Sequence, residues 1–203
     1  MIVERLELAD WRRQVVDLYA SIRAEPDPTR AWTHWTQVRD RLYRSHTQSP
    51  IPAGARGDAT APEYYPYDPA LRTLAQVEAA DGARFELPDS AAGHVIAERA
   101  GTALFSLHGE ELSLSVFWLL DYAGGFFVSC RDATSGDETY GAGRYLLDTA
   151  KGADLGAEGR RMILDFNFAY QPSCSYDPQW SCPLPPRENW LAIPIRAGER
   201  FRK

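Results

Sequence analysis

The start of the chain carries apolar side chains at helical spacing. Trp11, Val15, Leu18 and Ile22 recur every three or four positions, which places them on one face of a helix. Asp10 directly precedes this run, and aspartate is a preferred cap for the free N–H groups of a first turn. The pattern therefore predicts a helix that begins after Asp10.

A second apolar run follows the break at Glu25-Pro26-Asp27-Pro28. Pro28 suits the first turn of a helix, because an N–H at that position has no partner within the helix. Ser49-Pro50-Ile51-Pro52 ends the run. We interpret its tryptophans as core residues rather than as a stacking surface, and we predict a helical pair over residues 1–50. The apolar residues that share one face are Trp32, Trp35, Val38 and Leu42.

Beyond residue 70 the pattern changes from helical to alternating. Alternation places successive side chains on opposite faces of a sheet and is typical of half-buried strands. Turns such as His108-Gly109-Glu110-Glu111 and Ala123-Gly124-Gly125 separate the segments. About eight short strands are predicted: Arg72–Val77, Ala83–Leu87, Val95–Arg99, Ala103–Leu107, Leu112–Leu120, Phe126–Arg131, Tyr140–Leu147 and Arg161–Asn167.

This order of elements predicts an α+β fold, mainly an antiparallel β-barrel or sandwich. The helical pair of residues 1–50 is expected to accompany a β-rich domain, residues 51–203, in one compact unit. The stretch from Leu164 to Glu199 is rich in proline, which removes backbone donors that a helix or a central strand needs. We predict that this C-terminal proline loop closes one end of the barrel.

The composition limits the classes of partner. The chain has 203 residues, 44% of them hydrophobic, which is enough for one buried core. Its formal net charge of −6 argues against nucleic acid and anionic membranes as main partners. The sequence contains no run of roughly 20 apolar residues and no signal-peptide pattern. We therefore expect a cytoplasmic protein, whose oligomeric state the sequence leaves open.

The C-terminal third of the chain contains several distinctive motifs. They are Arg131–Gly136, Glu138–Leu146, Leu164–Asn167, Cys182-Pro183-Leu184-Pro185-Pro186, Glu188-Asn189 and Ala197-Gly198-Glu199. Through these motifs the chain resembles, over residues 126–200, a bacterial family catalogued as domain of unknown function 1684, or DUF 1684. The resemblance implies membership of this family but no particular activity, so ligand, reaction and cofactor have to be inferred from the residues themselves.

Polar residues after the last predicted strand form the first part of a candidate site. Asp165 and Asn167 are two positions apart, so a strand would point both side chains to one face, with Phe166 on the core side. Asp165 is the candidate acid or base, and Asn167 and Tyr170 are candidate ligand-binding residues. The alternative is that the same side chains satisfy the backbone of the overlying proline loop.

Arg144, Tyr140 and Asn189 are the other candidate ligand-binding residues. Gly141 and Gly143, which are separated by one residue within a predicted strand, imply a bulge or a close backbone approach just before Arg144. The guanidinium of Arg144 suits a carboxylate or phosphate of a ligand, or a structural ion pair with Asp132 or Asp165. We predict that the proline loop packs on this strand.

Packing of the loop on that strand would bring Arg144 to Asp165, Asn167 or Glu188. Three functions are then compatible with the residues. One is a pocket that binds a small polar molecule, and the second is an enzyme with Asp165 as acid or base and Arg144 as anion anchor. The third is a structural motif without a ligand. A cavity with a strongly shifted Asp165 pKa would favour the enzyme, and a deep apolar cavity whose titratable groups have unshifted pKa values would favour a binding protein.

Two cysteines, Cys174 and Cys182, lie in the proline loop. Their spacing does not match a zinc motif, and the four histidines form no pattern with them, so no metal site is predicted. Buried thiols and a disulfide across the loop remain as alternatives. In either case we predict that the two cysteines are neighbours in space.

Overall fold

The computed structural model describes residues 2–57, 61–120 and 124–201. Two helices come first: α1 spans Ile2–Ala24 and α2 spans Pro28–Ser45. Pro28 lies in the first turn of α2, and the Asp27 carboxylate caps this turn by accepting a hydrogen bond from the Thr29 N–H at 2.9 Å. The predicted helical pair is confirmed.

The predicted role of Asp10 as a helix cap is wrong. Because α1 already begins at Ile2, Asp10 lies inside the helix, where its carboxylate accepts a hydrogen bond from Gln14 Nε2 at 2.7 Å. Leu6 and Leu8, in the preceding turns, are exposed. The apolar pattern therefore begins later than the helix does.

The helices pack an apolar face against the sheet. Trp35 of α2 is fully buried and belongs to the same core cluster as Tyr19 of α1 and Leu164 of the sheet. The interpretation of the tryptophan stripe as core is therefore confirmed for Trp35. Exposed charged residues occupy the opposite faces, and within residues 2–57, 61–120 and 124–201 no helix is long and apolar enough to span a bilayer.

The described chain contains ten β-strands, and all of their pairings are antiparallel. The strands are β1 Glu63–Tyr64, β2 Arg72–Ala79, β3 Arg84–Pro88, β4 His94–Leu107, β5 Glu110–Leu119, β6 Gly125–Cys130, β7 Arg144–Asp148, β8 Ala157–Glu158, β9 Arg161–Asp165 and β10 Glu199–Arg200.

Eight of these strands form one sheet in the order β7-β6-β5-β4-β2-β9-β8, with β3 also paired to β4. The sheet curls strongly into a half-barrel, and β1 and β10 form a separate pair. The predicted α+β class is confirmed. Of the two predicted architectures, the barrel describes the sheet better than the sandwich.

The predicted break between Val95–Arg99 and Ala103–Leu107 is wrong, because both segments belong to β4. The pairing of β4 with β5 shifts register between Arg99 and Gly101. Such a bulge inserts one residue into the strand and changes which positions face the core. The alternation in the sequence is interrupted there, although the strand continues.

Two predicted turns differ in how far the structure describes them. Leu107 and Glu110 are paired across a two-residue turn in which His108 and Gly109 both have positive φ, so this hairpin is confirmed. For the turn at Ala123-Gly124-Gly125, Ala123 lies outside the described residues. Only the two glycines of that turn, both with positive φ, are described.

Strand β7 begins at Arg144 and not at Tyr140 as predicted. Gly143 has a φ of +102° and donates its N–H to the Tyr140 carbonyl at 2.9 Å, which closes a turn before the strand. A Cβ atom on Gly143 would lie 2.6 Å from the Cys130 carbonyl oxygen and 2.6 Å from Pro185 Cγ. The predicted close approach at these glycines is therefore confirmed.

Candidate functional site

The proline loop packs on β7 and on the end of β3, as predicted for the glycine-containing strand. The Tyr145 hydroxyl of β7 donates a hydrogen bond to the Pro183 carbonyl at 2.6 Å. The Leu184 N–H donates to the carbonyl of Pro88, the last residue of β3, at 2.7 Å. A loop with few N–H groups of its own is thus held by side chains and by one strand end.

Arg144 is fully buried and binds the C-terminal segment. Its Nη2 donates to Asp132 Oδ2 at 2.8 Å and to the Ile195 carbonyl at 2.8 Å, and its Nη1 donates to the carbonyls of Ala197 and Glu199. Asp132, one of the two structural partners considered from the sequence, is therefore its ion-pair partner.

The hydrogen bonds of Arg144 do not reach the three predicted partners Asp165, Asn167 and Glu188. Glu188 forms an ion pair with Arg99 instead. With its charge neutralised by a carboxylate and three carbonyl groups, the Arg144 guanidinium is arranged to hold the chain rather than to receive an anionic ligand.

The side-chain amides of Asn189 and Asn167 also bind backbone groups. Asn189 accepts a hydrogen bond from the Ser115 N–H at 2.7 Å and donates to the carbonyls of Ser115 and Ser129 at 3.0 and 2.8 Å. Asn167 accepts from the Asp68 N–H and donates to the Asp68 carbonyl, both at 2.8 Å. Each amide joins segments that are far apart in the sequence.

Asp165 ends β9 and caps the short 3-10 helix Phe166–Phe168. Its Oδ1 accepts hydrogen bonds from the Asn167 N–H at 3.0 Å and from Asn167 Nδ2 at 2.8 Å. Asp165 and Asn167 therefore meet, but through a capping turn and not because both face one side of a strand. The predicted extension of the strand to Asn167 is wrong.

The contacts of the second oxygen of Asp165 are longer. Oδ2 lies 3.4 Å from the Tyr67 hydroxyl and 3.9 Å from Nε of Arg72, the residue that pairs with Asp165 across β2 and β9. Arg72 Nη2 in turn donates to Glu158 Oε1 at 3.0 Å. Neither contact of Oδ2 is short, so this oxygen keeps capacity for another donor.

Asp165 lines a cavity of about 350 Å³ between the helical pair and the edge of the sheet, which we call the Asp165 cavity. This volume falls within the range of about 300–1,000 Å³ that is typical of small-molecule sites. The lining combines apolar side chains with charges of both signs. These lining residues include Ile22, Phe168, Glu25, Glu158, Arg23 and Arg72.

The environment of Asp165 raises the pKa of its carboxyl from 3.8 to about 6. Burial is the largest cause, since the side chain is only 2% exposed and a buried carboxylate loses its hydration. The hydrogen bonds from Asn167, the charge of Arg72 and the Tyr67 hydroxyl all act in the opposite direction. Asp165 is thus a buried carboxyl group that titrates near neutral pH.

Tyr170 lies in a second, smaller cavity of about 90 Å³ under α1 and α2. Its ring stacks beneath the guanidinium of Arg39 at 4.7 Å, and Arg39 Nε donates to Glu199 Oε1 at 2.8 Å. In the part of the chain that the structure describes, Oδ1 of Asp148, also on this cavity, is buried without a hydrogen-bond partner. Tyr170 and Asp165 therefore belong to different cavities.

Sequence reasoning missed Arg72 and Arg39 as neighbours of the candidate residues. Arg39 offered a signal, because it lies one helical turn from both Trp35 and Tyr43 on the buried face of α2. A charged residue on such a face requires a buried partner. The partner, Glu199, belongs to the Ala197-Gly198-Glu199 motif, but their pairing is not visible in the sequence. Arg72 lies at the start of a predicted strand, and nothing else in the sequence indicates that it is close to Asp165.

Tyr140 lies beside the two cysteines of the proline loop. Its hydroxyl is 3.7 Å from Cys174 Sγ, and the Cys174 N–H is 3.4 Å from Cys182 Sγ. The prediction that Cys174 and Cys182 are spatial neighbours is confirmed, and both are free thiols. Among the described residues no group of three or more His, Cys, Asp or Glu side chains is arranged to hold a metal ion.

An open apolar groove of about 740 Å³ lies on another part of the half-barrel. Its polar lining residues, Thr149, Asp154 and Arg160, are at least partly exposed. It lacks the buried polar group with a shifted pKa that distinguishes the Asp165 cavity. Apolar side chains form most of the groove: Val77, Val116, Trp118, Phe126, Leu147 and Met162.

The fold and the motifs agree with comparisons to known proteins. The solution NMR structure of an uncharacterised protein from Haloarcula marismortui is similar to this chain, with 35% sequence identity and a TM-score of 0.60. The similarity covers 83% of this chain and 92% of that protein. None of the curated proteins matches. A family model described as "Protein of unknown function (DUF1684)" matches residues 60–200, so the chain belongs to the DUF1684 family.

Proposed function

We propose that this protein binds a small polar molecule in the Asp165 cavity. The observation that carries the proposal is the position of Asp165: it is a buried carboxyl that lines a cavity, and its Oδ2 has no polar contact with a described residue shorter than 3.4 Å. Buried titratable groups with perturbed pKa values in a cavity are typical of functional sites.

The hydrogen bonds of Asp165 indicate which ligand group it would bind. Oδ1 is occupied by the two N–H groups of Asn167, which fix the orientation of the carboxyl. Oδ2 then remains for a ligand that presents an N–H or O–H donor, and a charge-assisted bond is among the stronger hydrogen bonds. Ile22 and Phe168 supply apolar surface beside it.

The charges around the cavity favour a small molecule over a polymer. Arg72 and Glu158 pair with each other at 3.0 Å, and Arg23 pairs with Asp154 at 3.7 Å, so the rim carries balanced rather than single-sign charge. A nucleic-acid or anionic membrane surface would require a basic patch. The net charge of −6 also supports a small, polar ligand.

Acid–base catalysis at Asp165 is the second candidate, and the pKa of about 6 is the observation that favours it. Arg72, not Arg144, would then be the cation beside the reacting group, because Arg144 is bound to Asp132 and backbone carbonyls. None of the described residues that line the cavity is Ser, Thr, Cys, His or Lys. We therefore place binding first and restrict the catalytic alternative to proton transfer.

The binding proposal predicts a specific loss in one variant. Wild-type protein at pH 7.5 is screened by calorimetry against amino acids, amines, polyols and sugars, all of which carry N–H or O–H donors. Asp165→Asn is expected to weaken the binding of any ligand found by at least about tenfold, because a hydrogen bond to a charged group contributes about 1.5–3 kcal/mol.

Asp17→Asn is the matched control, since Asp17 is an exposed residue on α1 and the chemical change is the same. The control should bind like the wild type. Unchanged affinity in Asp165→Asn would contradict the proposal. So would a ligand whose binding is lost in Trp118→Ala, which alters the apolar groove instead.

A further inference from the structure

The two cysteines of the proline loop form a thiol pair whose surroundings differ from those of a core cysteine. Cys174 and Cys182 are 9% and 6% exposed and contact each other through the Cys174 N–H and Cys182 Sγ at 3.4 Å. Cys130 is fully buried and belongs to a different hydrophobic cluster. Cys174 and Cys182 are therefore candidates for a reactive thiol pair, and Cys130 is a control cysteine in the same chain.

Polar groups surround the pair on several sides. The Tyr140 hydroxyl lies 3.7 Å from Cys174 Sγ. The Ser90 hydroxyl accepts a hydrogen bond from the Cys182 N–H at 3.0 Å, and the Ser90 N–H donates to the Cys182 carbonyl. These bonds fix the backbone of Cys182 to the turn after β3 and hold its sulfur next to Cys174.

The two loop cysteines are accessible in different ways. Cys182 lines the cavity of about 90 Å³ under the helices, whereas Cys174 and Cys130 are not among the described residues that line it. Cys174 is 9% exposed, so a reactant of the size of hydrogen peroxide can approach it from solvent, whereas Cys130 is fully buried.

We propose that Cys174 and Cys182 are a redox pair that hydrogen peroxide oxidises to a disulfide. In the first step the Cys174 sulfur attacks one peroxide oxygen, the O–O bond breaks, and Cys174 sulfenic acid and one water form. In the second step the Cys182 sulfur attacks the sulfenic sulfur, the S–S bond forms, and the hydroxyl leaves with the Cys182 proton as a second water. The two thiols lose two electrons and two protons, and the peroxide gains them.

The hydrogen bonds indicate which cysteine attacks first. The pKa of Cys174 is lowered, chiefly because of its hydrogen bond with the Cys182 thiol and further because of the Tyr140 hydroxyl, which lies 3.7 Å from its sulfur. The pKa of Cys182 is raised, because the same hydrogen bond retains its proton. The thiolate is the nucleophile in such reactions, so Cys174 attacks and Cys182 resolves.

The pKa of the third cysteine, Cys130, is raised, because no hydrogen bond from a described residue offsets its burial. Desolvation raises the pKa of Cys130 to about 12, and the charge of Asp132 adds to this shift. Cys130 should therefore stay a thiol under conditions that oxidise the loop pair. The two cysteines lie outside the strands of the sheet, with Cys174 in the short 3-10 helix Ser173–Ser175, and a disulfide between them requires an S–S length of about 2.05 Å.

The first test uses the wild-type chain. Native protein is treated with stoichiometric hydrogen peroxide, unreacted thiols are alkylated, and peptides are mapped by mass spectrometry without reduction. We expect one disulfide that joins Cys174 to Cys182 and an alkylated Cys130. A disulfide with another partner, or loss of the Cys130 thiol at a similar rate, would overturn the proposal.

The second test separates the two roles. In Cys182→Ser, Cys174 should accumulate as a sulfenic acid that a cyclic 1,3-diketone traps, and Cys130→Ser should form the disulfide at the wild-type rate.

Brief alkylation of native protein at pH 7 should label Cys174 at least about tenfold faster than Cys130. Equal labelling of the two, or peroxide consumption that persists in Cys174→Ser, would contradict the assignment.

Discussion

Replacement of Arg144 by methionine is expected to lower the free energy of unfolding by about 3–5 kcal/mol. The side chain is fully buried, and its removal would leave the Asp132 carboxylate without the cation that neutralises it. The carbonyl groups of Ile195, Ala197 and Glu199 would lose their donors in the same change.

Thermal and urea denaturation measure this effect. For a domain of this size the expected loss corresponds to a fall in melting temperature of roughly 6–20 °C. Arg13→Met is the matched control, because Arg13 forms a 3.6 Å ion pair with Asp10 on the surface and is 69% exposed. It should leave stability nearly unchanged. A mild effect of Arg144→Met, similar to that of the control, would show that Arg144 does not hold the C-terminal segment.

The stability of the protein should depend on pH through Asp165, and Asp165→Asn should remove this dependence. The folded-state pKa of about 6 lies above the unfolded value of 3.8, so the folded state binds the proton more tightly. The contribution of Asp165 to stability should therefore increase as the pH falls from 7 to 4, by up to about 3 kcal/mol. Well above pH 6 the carboxyl is ionised in both states, and this contribution no longer changes.

The difference between the two proteins isolates Asp165 from other titrating groups. Relative to wild type, Asp165→Asn should be more stable at pH 7, and the difference should shrink towards pH 4. The asparagine oxygen can still accept the hydrogen bonds from Asn167, so the capping turn is retained. Urea denaturation at several pH values measures the difference. A variant that is less stable than wild type at every pH would indicate a purely structural role.

The sequence predicts an element of the fold well where its apolar residues recur with a regular period. The helical pair and most strands follow from local periodicity, and Pro28 marks the start of α2 correctly. Errors occur where a bulge or a turn interrupts the pattern. The bulge near Gly101 makes the single strand β4 look like two strands in the sequence, and the turn at Gly143 makes β7 start later than predicted. This bulge and this turn depend on contacts with distant chain segments, which no local pattern contains.

The candidate site was harder to predict, because side chains of the same kind serve different purposes. Asp165, Asn189 and Arg144 are all buried and polar, but only Asp165 lines the cavity of about 350 Å³. A sequence shows that a guanidinium needs a partner and does not show which carboxylate provides it. Arg144 pairs with Asp132, while Arg72 reaches Asp165 because β2 and β9 are neighbours in the sheet.

The pKa of Asp165, measured by carboxyl ¹³C NMR, tests the central claim most directly. In the free protein we predict a value of about 6. Saturation with the tightest ligand of the screen should lower this value, because a donor that binds Oδ2 stabilises the charged form. Affinity should accordingly increase as the pH rises through 6. A free pKa near the ordinary value of 3.8, or a value that the bound ligand leaves unchanged, would contradict the assignment of Asp165 as the ligand-binding carboxyl group.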